Sequence, residues 1–350
     1  MRHFVKINGR AIGVGFPVYV VAELSANHNQ NFEQAVKLIY AAKVAGADAV
    51  KVQTYTADTL TIKSDKKFFL INNGTPWDGR TLYDLYQEAN MPWEWQPKLK
   101  VIANELGLDF FSTAFDPSAV DFLEKINVPV HKVASFEIVD IPLIERMAKT
   151  RKPLIISTGM ATFSEIEEAV LAAKRAGAKQ IALLKCTSAY PASPKDMNLL
   201  AIPDLAETLK VPVGLSDHTL SPAVSAAAVA LGACIVEKHL TLSRSILGPD
   251  SDFSLEPHEF KVLVETIRLV EKTLGAAKYG VTDCEKKNLI FRRSLFVIKD
   301  MKAGDVFSQD NLRSIRPAYG LPPKCINDLL DRRASRDIER GTPLSWDLVV

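Results

Sequence analysis

Apolar residues along this chain follow a repeating two-part pattern. Short β-rich apolar runs occur at 18–23, 49–53, 109–113, 130–134, 154–157, 181–185, 211–215 and 233–236. Between them lie stretches whose apolar residues recur every three or four positions. In 32–45, for example, Phe32, Ala35, Leu38, Ile39 and Ala42 fall on one side of a helix. Residues 97–106, 119–126, 141–148, 164–176, 223–231 and 260–274 repeat that pattern. Ala-Gly-Ala recurs at 45–47 and 176–178, where glycine suits a helix end turning into the next strand.

This α/β alternation predicts eight strands and their helices within residues 1–275, the count and length of a (β/α)8 TIM barrel. A doubly wound open sheet shares the alternation. The barrel is favoured because no Gly-x-Gly-x-x-Gly follows the first run, and because polar residues end nearly all eight runs rather than gathering at one crevice. Residues 56–95 interrupt the rhythm with Asn72-Asn73-Gly74-Thr75-Pro76-Trp77-Asp78-Gly79-Arg80. So long an insertion reads as a lid or binding loop. Beyond 275 the character changes. Residues 276–290 read as a linker and 291–350 as a small β-rich domain, with alternating runs at 294–297 and 312–315. A domain of this size is near the lower limit for independent stability.

Composition narrows the class. The 350 residues are 47% hydrophobic and 24% charged, with a net charge of +2, so no basic field points to nucleic acid. No apolar run approaches the roughly 18–20 residues of a membrane span. The first residues lack the apolar core of a signal peptide. Cys186, Cys234, Cys284 and Cys325 are widely spaced, and the first two lie in apolar runs that suit buried reduced thiols. The expectation is a soluble, cytoplasmic protein that touches neither membrane nor nucleic acid.

Candidate chemistry sits at the strand ends. His218 and His239 follow the last two runs, with helix-like 223–231 between them. Parallel neighbouring strands would bring both rings to one divalent metal ion. Two imidazoles leave the remaining positions to water or substrate, unlike the four protein ligands of structural zinc. Singly, a buried histidine is more often structural, and it is the pair at equivalent strand ends that favours a metal. Lys51, Lys132 and Lys185 end other runs, with Thr113, Ser135, Ser157, Thr158 and Ser216 at the same level. Three ammonium groups in one mouth would repel each other unless an anion neutralises them, which points to phosphate or carboxylate. Glu23, Glu137 and Asp250 are either ion-pair partners or general acids and bases. Arg316, in the small domain, reads as a surface arginine or as one that reaches a substrate.

Seven motifs in order resemble the sialic acid synthase family: Ala22-Glu23-Leu24-Ser25-Ala26-Asn27-His28-Asn29, Lys51-Val52-Gln53-Thr54, Phe111-Ser112-Thr113, Lys132-Val133-Ala134-Ser135-Phe136-Glu137, Ser157-Thr158-Gly159-Met160, Gly214-Leu215-Ser216-Asp217-His218-Thr219 and Glu237-Lys238-His239. The resemblance covers essentially the whole chain. Residues 292–350 resemble that family's antifreeze-like (SAF) domain. Trp77-Asp78-Gly79-Arg80-Thr81-Leu82-Tyr83 and Lys185-Cys186-Thr187-Ser188-Ala189-Tyr190-Pro191 are similar to the branch that makes pseudaminic acid. N-acetylneuraminate synthases tend to have glycine where Phe136 stands, and a phenyl ring would suit a sugar with a methyl at C6. The resemblance implies condensation of phosphoenolpyruvate with an acetamido-trideoxyhexose. It also implies Mn2+ (or Mg2+ or Co2+) on His218 and His239, proton handling by Glu137, and contacts by Glu23 and Asp250 to sugar hydroxyls or to metal-bound water. Finally, it implies a domain-swapped homodimer that places Arg316 over the partner's barrel. The rival readings are a legionaminate or N-acetylneuraminate synthase, a class II aldolase and a non-catalytic carbohydrate-binding barrel.

Overall fold

The structure, a computed structural model, describes residues 3–75 and 77–350; Met1 and Arg2 of the N-terminal stretch and Pro76 of the insertion lie outside the described residues. The chain forms two compact units, Met1–Gly275 and Ala276–Val350.

The first unit opens with a hairpin that the apolar pattern did not predict. Strands β1 (Phe4–Ile7) and β2 (Arg10–Gly13) pair antiparallel. Asn8 and Gly9 join them with φ of 48° and 82°, the backbone that an Asn-Gly turn favours. Val5, Ile7 and Ile12 are buried, and the Asn8 amide donates to Asp109 Oδ1 at 2.8 Å. Tyr19 donates to the other Asp109 oxygen, also at 2.8 Å. The hairpin therefore packs against the N-terminal end of the strands that follow.

Those strands are β3 (Tyr19–Glu23), β4 (Ala49–Thr54), β5 (Asp109–Ala114), β6 (His131–Val133), β7 (Leu154–Ser157), β8 (Ile181–Cys186), β9 (Val213–Asp217) and β10 (Ile235–His239). All neighbours are parallel, and β10 pairs with β3, His239 opposite Glu23, to close an eight-stranded barrel. Closure excludes the open sheet. A helix follows each strand, from Phe32–Ala45 after β3 to Pro257–Leu274 after β10. Helix Ala201–Leu209, between β8 and β9, was not anticipated. Pro203 interrupts its pattern, but it stands in the first turn, where a missing N–H is tolerated. The last two strands also end later than the expected 211–215 and 233–236, by two residues at Asp217 and by three at His239. His239 thus ends β10, and His218 directly follows β9.

The second unit holds an antiparallel pair, β11 (Ser294–Val297) and β12 (Leu312–Ile315), with Ser294 opposite Ile315. Isolated bridges such as Met301↔Ile338 and Ala334↔Val349 extend the β structure. Its core is Leu295, Val297, Met301, Phe307, Leu312 and residues around Leu344.

Candidate active site

The barrel interior is organised around a residue to which the sequence reading assigned no role. Glu237 Oε1 accepts from Lys51 Nζ at 2.8 Å and from Ser216 Oγ at 3.2 Å, and lies 3.9 Å from Lys132 Nζ. Lys51 Nζ is also 3.2 Å from Glu23 Oε2, an ion pair without hydrogen-bond alignment. Lys132 donates to Ser157 Oγ at 2.7 Å and to the Val133 carbonyl at 3.0 Å. These groups come from β3, β4, β6, β7, β9 and β10, so they meet inside the barrel. The expectation that only a bound anion could hold the lysines together is therefore corrected: Glu237, with Glu23, already supplies negative charge to Lys51 and Lys132. The signal was in the sequence, because residues two apart on a strand share a face, and Glu237 is two before His239.

The charges sort accordingly. Burial alone would raise the Glu237 pKa, but Lys132 and Lys51 hold it down to about 2. Burial, only partly opposed by Lys51, pushes Glu23 up to about 7. Burial lowers Lys132 to about 8 despite Glu237. For Lys51 the burial effect is outweighed by Glu23 and Glu237, and its pKa is raised. The Lys185 tip donates to the Cys186 carbonyl at 2.8 Å and lies 3.4 Å from Thr187 Oγ1, at the end of β8. Thr113 is buried, in register with Gln53 and Lys132. Ser135 follows β6 and accepts from Gly159 N at 3.2 Å. A Cβ at Gly159 would sit 2.7 Å from Ser135 Oγ and 2.2 Å from Ser188 Oγ, so this close approach requires glycine.

The two imidazoles come together as expected, with ring centroids 5.3 Å apart. Tyr190 packs against His218 at 4.6 Å and Phe253 against His239 at 5.0 Å. His218 Nδ1 faces the Thr187 carbonyl at 3.1 Å. A carbonyl only accepts, so Nδ1 carries a proton and Nε2 is the nitrogen left to ligate. The buried Nδ1 of His239 has no partner. Burial, with the positive charge of His218, Lys51, Lys238 and Lys132, drives the His239 pKa well below its ordinary value, leaving the neutral, ligating form. Burial lowers His218 too, but Cys186 and the Thr187 carbonyl outweigh it and leave that pKa raised, so a bound ion there would displace a proton. This donor set fits a divalent ion held by two nitrogens with open positions. Among the described residues no group of three or more His, Cys, Asp and Glu converges as a cation site.

Above this floor lies a cavity of about 430 Å³. The insertion forms one wall with Phe68, Ile71, Trp77, Leu85 and Tyr86; Gln53, Phe136, Glu137, His239 and Asp250 face them. Trp77 Nε1 donates to the Pro249 carbonyl at 2.9 Å, and its ring lies 5.7 Å from Tyr190. Asp78 pins its own loop by accepting from Gly74 N at 2.9 Å and Thr75 N at 3.0 Å. Gln53 links Glu23 Oε1, at 3.0 Å, to Ser25 Oγ, which in turn donates to Asp250. Burial raises the Asp250 pKa and pushes Glu137 up to about 7, Lys132 opposing the latter. Glu137 Oε2 is buried without a partner. His28, noted in sequence beside Asn27, is wholly buried against Trp95 and reads as structural. Arg316 belongs to the second unit, where it is exposed just beyond β12.

A closed barrel whose strand ends bring lysines, carboxylates and two imidazoles to one mouth defines a (β/α)8 enzyme. The chain belongs to the NeuB family, whose profile matches residues 38–279, and residues 292–350 match the SAF domain. It is 45% identical over 327 residues to a pseudaminic acid synthase of Campylobacter jejuni, covering 93% of this chain and 95% of that one. It is 43% identical over 332 residues to a pseudaminic acid synthase of Helicobacter pylori, covering 95% and 97%. The crystal structure of N-acetylneuraminic acid (sialic acid) synthetase from Leptospira borgpetersenii, in complex with citrate, matches with a TM-score of 0.73 at 31% identity, over 83% of this chain and 96% of that one.

Proposed function

We propose that the protein condenses phosphoenolpyruvate with the open-chain aldehyde of 2,4-diacetamido-2,4,6-trideoxy-β-L-altropyranose and water, giving pseudaminic acid and phosphate. The observation that carries this reading is the cluster of Lys51, Lys132, Ser157, Ser216 and Glu237 beside two adjoining imidazoles, with Ser216 and Glu237 two residues before His218 and His239. Similarity to pseudaminic acid synthases supports the choice of sugar.

In this reading Lys51, Lys132 and Lys185, with Thr113, Ser135, Ser157 and Ser216, hold the phosphate and carboxylate of phosphoenolpyruvate. Glu23 and Asp250, joined through Gln53 and Ser25, orient the sugar hydroxyls. Phe136 and the insertion offer apolar surface to the C6 methyl and the acetamido groups. His218 and His239 would hold the divalent ion, Mn2+ foremost, with Mg2+ and Co2+ as alternatives. When bound, that ion supplies positive charge that makes the aldehyde carbon more electrophilic. C3 of the enol bonds to that carbon, and the aldehyde oxygen gains a proton. Water adds at C2 and loses its proton to Glu137, whose carboxyl titrates near neutrality. The bond from C2 to the phosphate oxygen then breaks as the C2 hydroxyl gives up its proton to become the keto oxygen, and phosphate leaves carrying that proton. Removing one charge-stabilising donor from such a site typically costs about 3–4 kcal/mol.

The test is phosphate release from phosphoenolpyruvate with Mn2+ and each purified sugar. Turnover with the L-altro sugar is expected. Faster release with the legionaminate precursor or N-acetylmannosamine would reassign the sugar; binding of sugar with no phosphate released in any arm would overturn the synthase reading. The same reading holds the protein to be a cytoplasmic homodimer in which Arg316 serves the partner's barrel. A monomer in sedimentation that keeps full activity would contradict the dimer.

A further inference from the structure

Behind the two imidazoles lies a buried ion pair that the chemistry above leaves unused. Ser216 and Glu237 face the barrel interior, so their neighbours Asp217 and Lys238 face outward, toward helix Pro222–Ala230. Lys238 Nζ is 3.0 Å from Asp217 Oδ2, and neither side chain has any solvent exposure. Asp217 Oδ2 also accepts from Ser225 Oγ of the helix at 2.7 Å. Asp217 Oδ1 accepts from Thr219 N at 2.8 Å, and Lys238 Nζ donates to the Thr219 carbonyl. The network thus grips both chain neighbours of His218 and the residue that precedes His239.

We propose that the Asp217–Lys238 pair is a positioning device that fixes the span between His218 and His239 and so sets metal affinity. This rests on the metal-binding reading given above. Two physical arguments support it. First, a buried ion pair stabilises little compared with apolar side chains filling the same space, because desolvating both charges offsets most of their attraction; a specified geometry is its better-attested use. Second, the parallel pairing of β9 with β10 ends at Asp217 opposite Lys238. His218 lies beyond it, so the bonds to Thr219 hold the peptide groups around the imidazole where the ladder no longer does.

The test compares Mn2+ affinity, by calorimetry, with the unfolding temperature of the metal-free protein. The double variant Asp217→Asn with Lys238→Met removes both charges while roughly keeping volume and the acceptor for Thr219 N. Its unfolding temperature is expected within about 3 °C of the parent, while its Kd for Mn2+ rises about 10- to 100-fold, as for groups that orient metal ligands. Ser225→Ala deletes one bond to Asp217 and should raise the Kd about threefold, on a smaller scale than loss of the whole pair. An unchanged Kd, whatever the unfolding temperature, makes the pair merely structural and overturns the proposal. If the double variant does not fold, Ser225→Ala decides by the same criterion. If the parent protein binds no Mn2+, the metal reading fails and takes this inference with it; parent binding matched by the variants sinks the inference alone.

Discussion

Replacing Glu237 with glutamine tests the charge arrangement at the centre of the barrel. Glu237 and Lys51 have side chains only 6% and 5% exposed, so their attraction is little screened by solvent. Glutamine keeps the shape and one acceptor oxygen but leaves the Lys51 and Lys132 ammonium groups facing each other without the carboxylate between them. Breaking a buried pair by removing one partner costs about 3–5 kcal/mol. For the unit Met1–Gly275, at about 2.1 cal/mol/K per residue, the unfolding entropy is about 0.6 kcal/mol/K. The expected fall in unfolding temperature is then about 5–9 °C. The same loss should make the site hungrier for anions. Inorganic phosphate or phosphoenolpyruvate should raise the unfolding temperature of Glu237→Gln more than that of the parent, because ligand binding to the folded state supplies the missing negative charge. Differential scanning calorimetry with and without phosphate measures both effects. A variant that melts within about 1 °C of the parent and responds equally to phosphate would refute the idea that Glu237 compensates these lysines.

His239→Ala should abolish Mn2+-dependent phosphate release while circular dichroism shows the fold intact; undiminished turnover, with or without chelator, rules out the metal role. Glu137 gives a pH signature. Burial raises its carboxyl from the ordinary 4.5 to about 7, so the folded protein keeps a proton that the unfolded chain releases between those values. The stability this group confers is present below about pH 4.5 and is lost as pH rises through 7. Glu137→Gln removes that dependence. The variant should therefore gain on the parent by up to about 3 kcal/mol between pH 4 and pH 8 in urea unfolding. A stability difference that stays constant across that range counts against a buried, neutral Glu137.

The barrel was legible because its two periods, about 2 for strands and 3.6 for helices, alternate cleanly over the first unit. What escaped was short or disguised. The β1–β2 hairpin has strands of four residues each, too brief for a period to register, although Asn8-Gly9 announced the turn. Helix Ala201–Leu209 hid behind Pro203. At the site, strand-end chemistry identified the imidazoles and lysines one strand at a time, which is all a linear pattern offers. Which ammonium meets which carboxylate depends on the stagger between strands, a property of closure that no single run carries. Lys51 reaches both Glu23 and Glu237 only because β3 lies between β4 and β10 in the ring, with Glu23 opposite Lys51 on one side and opposite His239 on the other. Side-chain period 2 makes this register unforgiving. A one-residue slip of β10 would turn Lys238 inward in place of Glu237 and His239, setting a third ammonium beside Lys51 and Lys132 and removing one imidazole from the pair. The apolar pattern of β10 resists that slip weakly, since Ile235 and Val236 are both buried and either could face the interior. The outward Asp217–Lys238 pair resists it strongly, because a slipped strand would bury Asp217 with no cation against it.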